Sequence, residues 1–370
     1  MPVGGPRFIR RPKRALKGAR RRVASIKPRA ELLATAWTQD RAIERADRAV
    51  AKAARGSAPI LVGPWLSEIG FEVLYWIPML NRFVEHYGIE RERLVAVSRG
   101  GAQPWYADLA GSYVDAFDFF EPEQLRERHA AQKAAGSGEK VWELGGLDAE
   151  IVRRTTEHLG LDAVNVLHPG LMNQRFRYFW ARSRKLGALE KRTLYRPLPA
   201  PSGPPPAPGL EDLPEDYVAV KAYFSADFPD TEENRAFVRR LVARLAEEHD
   251  VVLLSTGLDF DGHADYAPAG ASGAVHDLAP IMVARHNLDL QTRVIAGARA
   301  LFTTYGGFAY LGPLLGVDTV SFYSLYNFSP SHLDVARRIV PRIGSARLAA
   351  LDVRELDLLD MVSGLERAGV

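Results

Sequence analysis

Residues 288–324, LDLQTRVIAGARALFTTYGGFAYLGPLLGVDTVSFYS, read as helix, strand, glycine turn, helix and strand. Leu290, Val294, Ile295 and Ala298 recur at helical spacing, and Ala300 to Thr304 is a short buried-strand run. Tyr305-Gly306-Gly307 turns the chain into a helix over Phe308 to Leu315, and Val317 to Phe322 is the next strand. A glycine pair between a strand end and a helix start lets a ligand come close to backbone N–H groups. The positive end of the helix favours an anion there, usually a phosphate. Such a site lies at the carboxyl end of a parallel sheet, where open α/β sheets bind ligands. The plain alternative is a tight strand-to-helix connection with no ligand.

Outward from this segment, strand and helix alternate twice over. In the first half, Ile60 to Trp65, Leu94 to Ser98, Tyr113 to Phe119 and Ala163 to Leu167 read as strands. Between them Glu72 to Tyr87, with a kink expected at Pro78, and Asp148 to Leu159 read as helices. Residues 198–208, LPAPSGPPPAP, form a semi-rigid linker that cannot join a packed sheet. Alternation restarts with a strand from Tyr217 to Tyr223, a helix from Thr231 to His249 and a strand from Val251 to Ser255. A last helix is expected over Glu355 to Arg367. The fold class is therefore α/β, with two Rossmann-like doubly wound domains facing a cleft. The units expected are a basic disordered tail (1–29), a helix (30–56), a first α/β domain (57–196), a linker (197–216) and a second α/β domain (217–370).

The 370 residues and 47% hydrophobic content suit globular cores, and the absence of cysteine excludes disulfides, thiolate nucleophiles and cysteine-zinc sites. No run is long enough to span a membrane, and no secretory signal opens the chain. The net charge of +3 conceals an asymmetry: residues 1–29 hold eleven Lys or Arg and no acid, which leaves about −8 for the remainder. Such a tail suits an anionic membrane surface better than nucleic acid, with a solubilising arm as the bland alternative.

Several strand ends carry candidate chemistry. In GPWLSEIGFE (63–72), Glu68 is the candidate general base, its carboxylate partly desolvated by Ile69-Gly70-Phe71. Glu72 is the second choice, and helix capping is the alternative for both. Lys221 tips an apolar strand and needs a partner, either a diphosphate or a structural carboxylate; Tyr223 and Ser225 follow it. Ser255 and Thr256, before Gly257, suit phosphate or sugar contacts as well as a plain turn. Asp259 to Asp265 (DFDGHAD) fits no metal-ligand spacing and reads as a polar loop, so no metal site is expected. Asn287 is a candidate N-cap, with His286 or Gln291 facing a nucleobase or phosphate. His168-Pro169-Gly170 and the run NQRFRYFWARSR (173–184) complete the set. The run reads foremost as an amphipathic helix with Phe176, Phe179 and Trp180 inward.

Together these features resemble the GT-B class of nucleotide-sugar glycosyltransferases. The second half is similar to the donor half of heptosyltransferase-like and fucosyltransferase-like members. Lys221 and Thr304-Tyr305-Gly306-Gly307 stand where that class holds the donor diphosphate, and Glu68 where inverting members carry the catalytic carboxylate. Tyr305 occupies a position that is usually acidic. The resemblance implies a metal-independent glycosyltransferase with no cofactor. Its partners would be a nucleotide-sugar donor as substrate and a glycan or lipid-linked acceptor. The location would be cytoplasmic, peripheral at the inner membrane face, with domain closure excluding water. A nucleotide-sugar epimerase, a pyruvyl transferase and a non-catalytic binding module are the alternatives on similar scaffolds.

Overall fold

The structure, a computed structural model, describes residues 37–135, 144–182, 185–205, 208–256, 264–266 and 273–356. The tail, most of the 259–265 loop and the expected 355–367 helix lie largely outside these residues. Among them no helix is long and apolar enough to cross a membrane.

Helix α1 spans residues 37–53, and its buried Ile43, Ala46, Val50 and Ala53 lie on one face. The first half then runs β1 (Ile60–Val62), α2 (Ile69–Phe71), a π turn (Glu72–Trp76), α3 (Ile77–Tyr87), β2 (Leu94–Ser98) and β3 (Ser112–Asp115). It continues with α4 (Pro122–Ala135), α5 (Gly146–His158), β4 (Asn165–Leu167), α6 (Pro169–Trp180) and α7 (Leu186–Glu190). The second half runs β5 (Tyr217–Lys221), β6 (Tyr223–Phe224), α8 (Glu232–Ala246), β7 (Asp250–Leu253), β8 (Ala264–Asp265) and β9 (Val275–Asp277). After these come α9 (Asn287–Gly297), β10 (Leu301–Thr304), α10 (Gly307–Leu314), β11 (Thr319–Tyr323), α11 (Pro330–Ile343) and β12 (Leu348–Asp352).

The strands form two parallel sheets, β3-β2-β1-β4 and β12-β11-β10-β5-β7-β9. Counted within each half, the orders are 3-2-1-4 and 3-2-1-4-5-6, the doubly wound arrangement that reverses between its first and fourth strands. The central strands β1, β2 and β5 are buried at every position, as parallel strands covered on both faces must be. The short pair β6-β8 is antiparallel and separate.

Local chemistry sets the helix ends. Thr231 caps α8 by accepting from Asn234 N, and Glu232 and Glu233 follow in the first turn. His168 caps α6 through Nδ1, with Pro169 in the first turn. The kink expected at Pro78 is replaced by the π turn just before it, so that Pro78 enters α3 as a first-turn residue whose missing N–H costs nothing. The described C-terminal part contains α11 and β12, which are not among the elements expected from the sequence.

One core joins the halves: Leu74, Trp76 and Trp105 from the first belong to the same cluster as Leu290, Val294 and Leu311 from the second. Trp105 Nε1 donates to Thr292 Oγ1 at 3.0 Å, and Leu288 N donates to Gly100 O at 2.8 Å. A Cβ on Gly307 would stand 2.7 Å from Gly70 N, so the two glycines let the halves touch backbone to backbone. The halves meet through this shared core and leave a cavity between them.

Candidate ligand-binding cavity

The two reversal points face each other across one cavity of about 600 Å³. From the first half it is lined by the segment after β1 (Pro64 to Phe71) and by His168 and Pro169 after β4. From the second come Tyr223 and Ser225 to Asp227 after β5, and Tyr305 to Phe308 after β10. Ligands of open α/β sheets bind at such points, and here two of them converge.

The carboxylates differ from expectation in an instructive way. Glu68 lines the cavity and is exposed. It precedes α2 at the N-cap position and makes no side-chain capping bond to that helix. Glu72 is wholly buried and does not line the cavity. The π turn directs it inward, where Oε1 accepts from Ser98 Oγ at 2.7 Å and Tyr106 Oη at 2.6 Å. Burial pushes its pKa up to about 7, against a partial offset from the Arg99 charge and these hydrogen bonds. Glu72 is therefore corrected from a candidate base to a structural acid.

This gives a pH prediction. The folded-state pKa of Glu72 lies above its ordinary value of 4.5, at about 7. Its contribution to stability is thus fully present below about pH 4.5 and is lost as pH rises through 7, about 3 kcal/mol in all. Urea denaturation of Glu72→Gln is expected to show a flatter stability profile over that window than the wild type. Parallel profiles would mean that Glu72 does not titrate in it.

In the second half, Lys221 is buried, and its Nζ donates to Leu254 O at 2.9 Å and pairs with Asp265 at 2.7 Å. Burial lowers its pKa, and the Asp265 charge opposes that shift. Asp265 also accepts from Thr256 N at 2.7 Å and Thr256 Oγ1 at 2.6 Å, so one carboxylate orders two residues of the cavity wall. The structural carboxylate is thus present, and Lys221, Thr256 and Asp265 all line the cavity. Among the described residues, no group of three or more His, Asp or Glu could hold a metal ion.

Ser225, Tyr305, Gly306, Gly307, Asn287 and Gln291 also line the cavity, whereas Ser255, Thr304 and His286 do not. Ser255 Oγ turns to Tyr266 O at 3.3 Å, and Thr304 Oγ1 bridges to Tyr223 backbone as donor to O at 2.8 Å and acceptor from N at 3.0 Å. His286 lies on the turn before α9, where a Cβ on Gly101 would come within 3.3 Å of its Cα. Asn287 is corrected from N-cap to first helical residue; His286 holds the cap position and makes no capping bond. The glycine pair serves close approach to protein: a Cβ on Gly306 would fall 2.0 Å from Tyr223 Oη, and Gly307 meets Gly70.

Three features emerge only in three dimensions. His168 Nδ1 accepts from Gly170 N at 3.1 Å while its Nε2 stands 3.5 Å from Asp148 Oδ2, on the cavity wall. Burial alone would raise the Asp148 carboxyl, but bonds from His168, Gly145 and Gln132 outweigh it and hold the pKa below its usual value. Asp227 lines the cavity with its carboxyl raised by burial. Tyr75 Oη lies 2.6 Å from His332 Nδ1, within an aromatic group that includes Phe71 and Trp180. The run 173–184 supplies that group from α6, with Phe176, Phe179 and Trp180 buried.

No protein-family model matches the chain, and no curated protein matches it. Solved structures do. E. coli ADP-heptose lps heptosyltransferase II is 14% identical, over 74% of this chain and 86% of that one, at a TM-score of 0.40. E. coli heptosyltransferase WaaC with ADP is 15% identical over 85% and 100%, at a TM-score of 0.38. The glycosyltransferase SnogD from Streptomyces nogalater is 16% identical over 75% and 84%, at a TM-score of 0.35. These are likenesses of overall architecture, and no activity follows from them.

Proposed function

We propose that the chain is a glycosyltransferase that moves a sugar from a nucleotide-diphosphate donor to an acceptor hydroxyl. The observation that carries this reading is the convergence of two doubly wound reversal points on one cavity. One side offers a carboxylate, Glu68, and the other a helix amino end with a buried lysine. In this reaction the acceptor O–H gives its proton to Glu68 as its oxygen attacks the anomeric carbon. The bond from that carbon to the diphosphate breaks, and the nucleoside diphosphate leaves with the electron pair. Its added charge meets the N–H groups at the start of α10 and the Lys221 ammonium. Neither the carboxylate nor the lysine requires a metal ion or a cofactor for these roles. The cationic tail suits work on a lipid-linked acceptor at the inner membrane face, at about 1 kcal/mol per basic residue near anionic lipid.

The test is a thermal-shift screen against UDP-, GDP-, ADP- and dTDP-sugars, with and without magnesium. One donor class is expected to raise the melting temperature, by about 2.7 kcal/mol of added stability at a hundredfold excess over Kd, whether or not magnesium is present. A chain that no nucleotide stabilises would be no nucleotide-sugar transferase.

A further inference from the structure

Gln291 sits in the second turn of α9, 1% exposed, on the wall of the cavity. Its Nε2 donates to Asn287 O at 3.2 Å and to Asn287 Oδ1 at 3.2 Å. The backbone carbonyl can only accept, so the amide orientation follows from the bonding: nitrogen toward Asn287, oxygen away from it. Oε1 then has no partner among the described residues. A buried acceptor in that state carries an unrecovered desolvation cost, which an incoming donor would remove.

The rest of the cavity wall points the same way. Among its lining residues, the buried side-chain atoms without a partner are Gln291 Oε1 and Asp227 Oδ1, and both are acceptors. An ionised phosphate has only acceptors to offer, so it satisfies neither. The ligand part that reaches Gln291 must carry an N–H or O–H.

We infer that Gln291 Oε1 accepts a hydrogen bond from a neutral donor group of the bound nucleotide-sugar and thereby helps decide which ligand the cavity takes. The inference rests on the proposed nucleotide-sugar reading. It assigns Gln291 to the nucleoside or to the sugar and leaves the diphosphate to the helix end and Lys221. An apolar residue of equal length keeps the packing of α9 but loses the acceptor.

The experiment is calorimetric titration of the full chain with UDP, GDP, ADP and dTDP and with their glucose conjugates, wild type against Gln291→Met. The tightest wild-type ligand is expected to bind Gln291→Met roughly tenfold more weakly. A loss already present with the bare diphosphate places the donor on the nucleoside; a loss confined to the glucose conjugate places it on the sugar. On the wild type itself, the Gln291 side-chain carbonyl ¹³C resonance is expected to move downfield on saturation, which keeps the test decisive if Gln291→Met does not fold. Equal affinities for wild type and variant, or an unmoved carbonyl resonance, would overturn the inference while leaving the transferase reading intact. Absence of any nucleotide binding to the wild type would instead remove the reading beneath it.

Discussion

Glu68→Gln is expected to slow glycosyl transfer by about 10²- to 10⁴-fold, the usual worth of a positioned general base. The amide matches the carboxylate in shape but cannot take the acceptor proton. Because Glu68 is exposed, its replacement should leave stability within about 0.5 kcal/mol of wild type. Glu72→Gln should behave in the opposite way: its stability loses the pH dependence that Glu72 confers between about pH 4.5 and 7, while transfer at pH 7 stays within a few-fold, since Glu72 does not reach the cavity. Release of nucleoside diphosphate, followed alongside urea denaturation, separates the two. If Glu68→Gln turns over at the wild-type rate, the base is another group, and Asp227 and Asp148, two further carboxylates on the wall, become the variants to make.

Gly307→Ala is expected to destabilise the protein by about 1–3 kcal/mol through overpacking. The added methyl would meet Gly70 N at 2.7 Å and Ile69 Cβ at 3.0 Å. The first is a backbone atom of the opposite half and cannot rotate away, so relief requires the halves to part. Gly146→Ala is the control. No atom lies within 4 Å of a Cβ there, and the position opens α5, so the change should be neutral or slightly favourable. Parting the halves also widens the cavity, so Gly307→Ala should weaken nucleotide binding in the same samples. If Gly307→Ala matched Gly146→Ala in denaturation midpoint, backbone contact between the halves would not hold the molecule together.

Most of the doubly wound pattern was legible because its signals are local. Leu290, Val294 and Ile295 mark α9 by helical spacing, and the apolar run before Thr304 marks β10. What escaped were α4, α7, α11, β12 and the short β8 and β9. In α4 charge interrupts the apolar positions, and β8 and β9 are too short to show a period, whereas α11 does carry a helical period in Leu333, Ala336, Ile339 and Val340. Within the site, Lys221, Tyr305 and the glycine pair were found because each stands at a strand end. Glu68 was legible as the first candidate base, whereas the burial of the second, Glu72, was not, because it depends on the π turn that winds it inward.

The sequence by itself determined the strand–helix alternation, the glycine turn after β10, the charge asymmetry of the tail and the need of Lys221 for a partner. All of these follow from side-chain period, backbone freedom or net charge over a few residues. Only the tertiary structure decided that Asp265 is that partner, that Gly307 is small for the sake of Gly70, and that Gln291 ends with a buried, unmet oxygen. The reason is the same in each case. The deciding neighbour comes from a distant strand end or from the opposite half, and the crossing of two sheets, which no local pattern encodes, brings it within bonding distance.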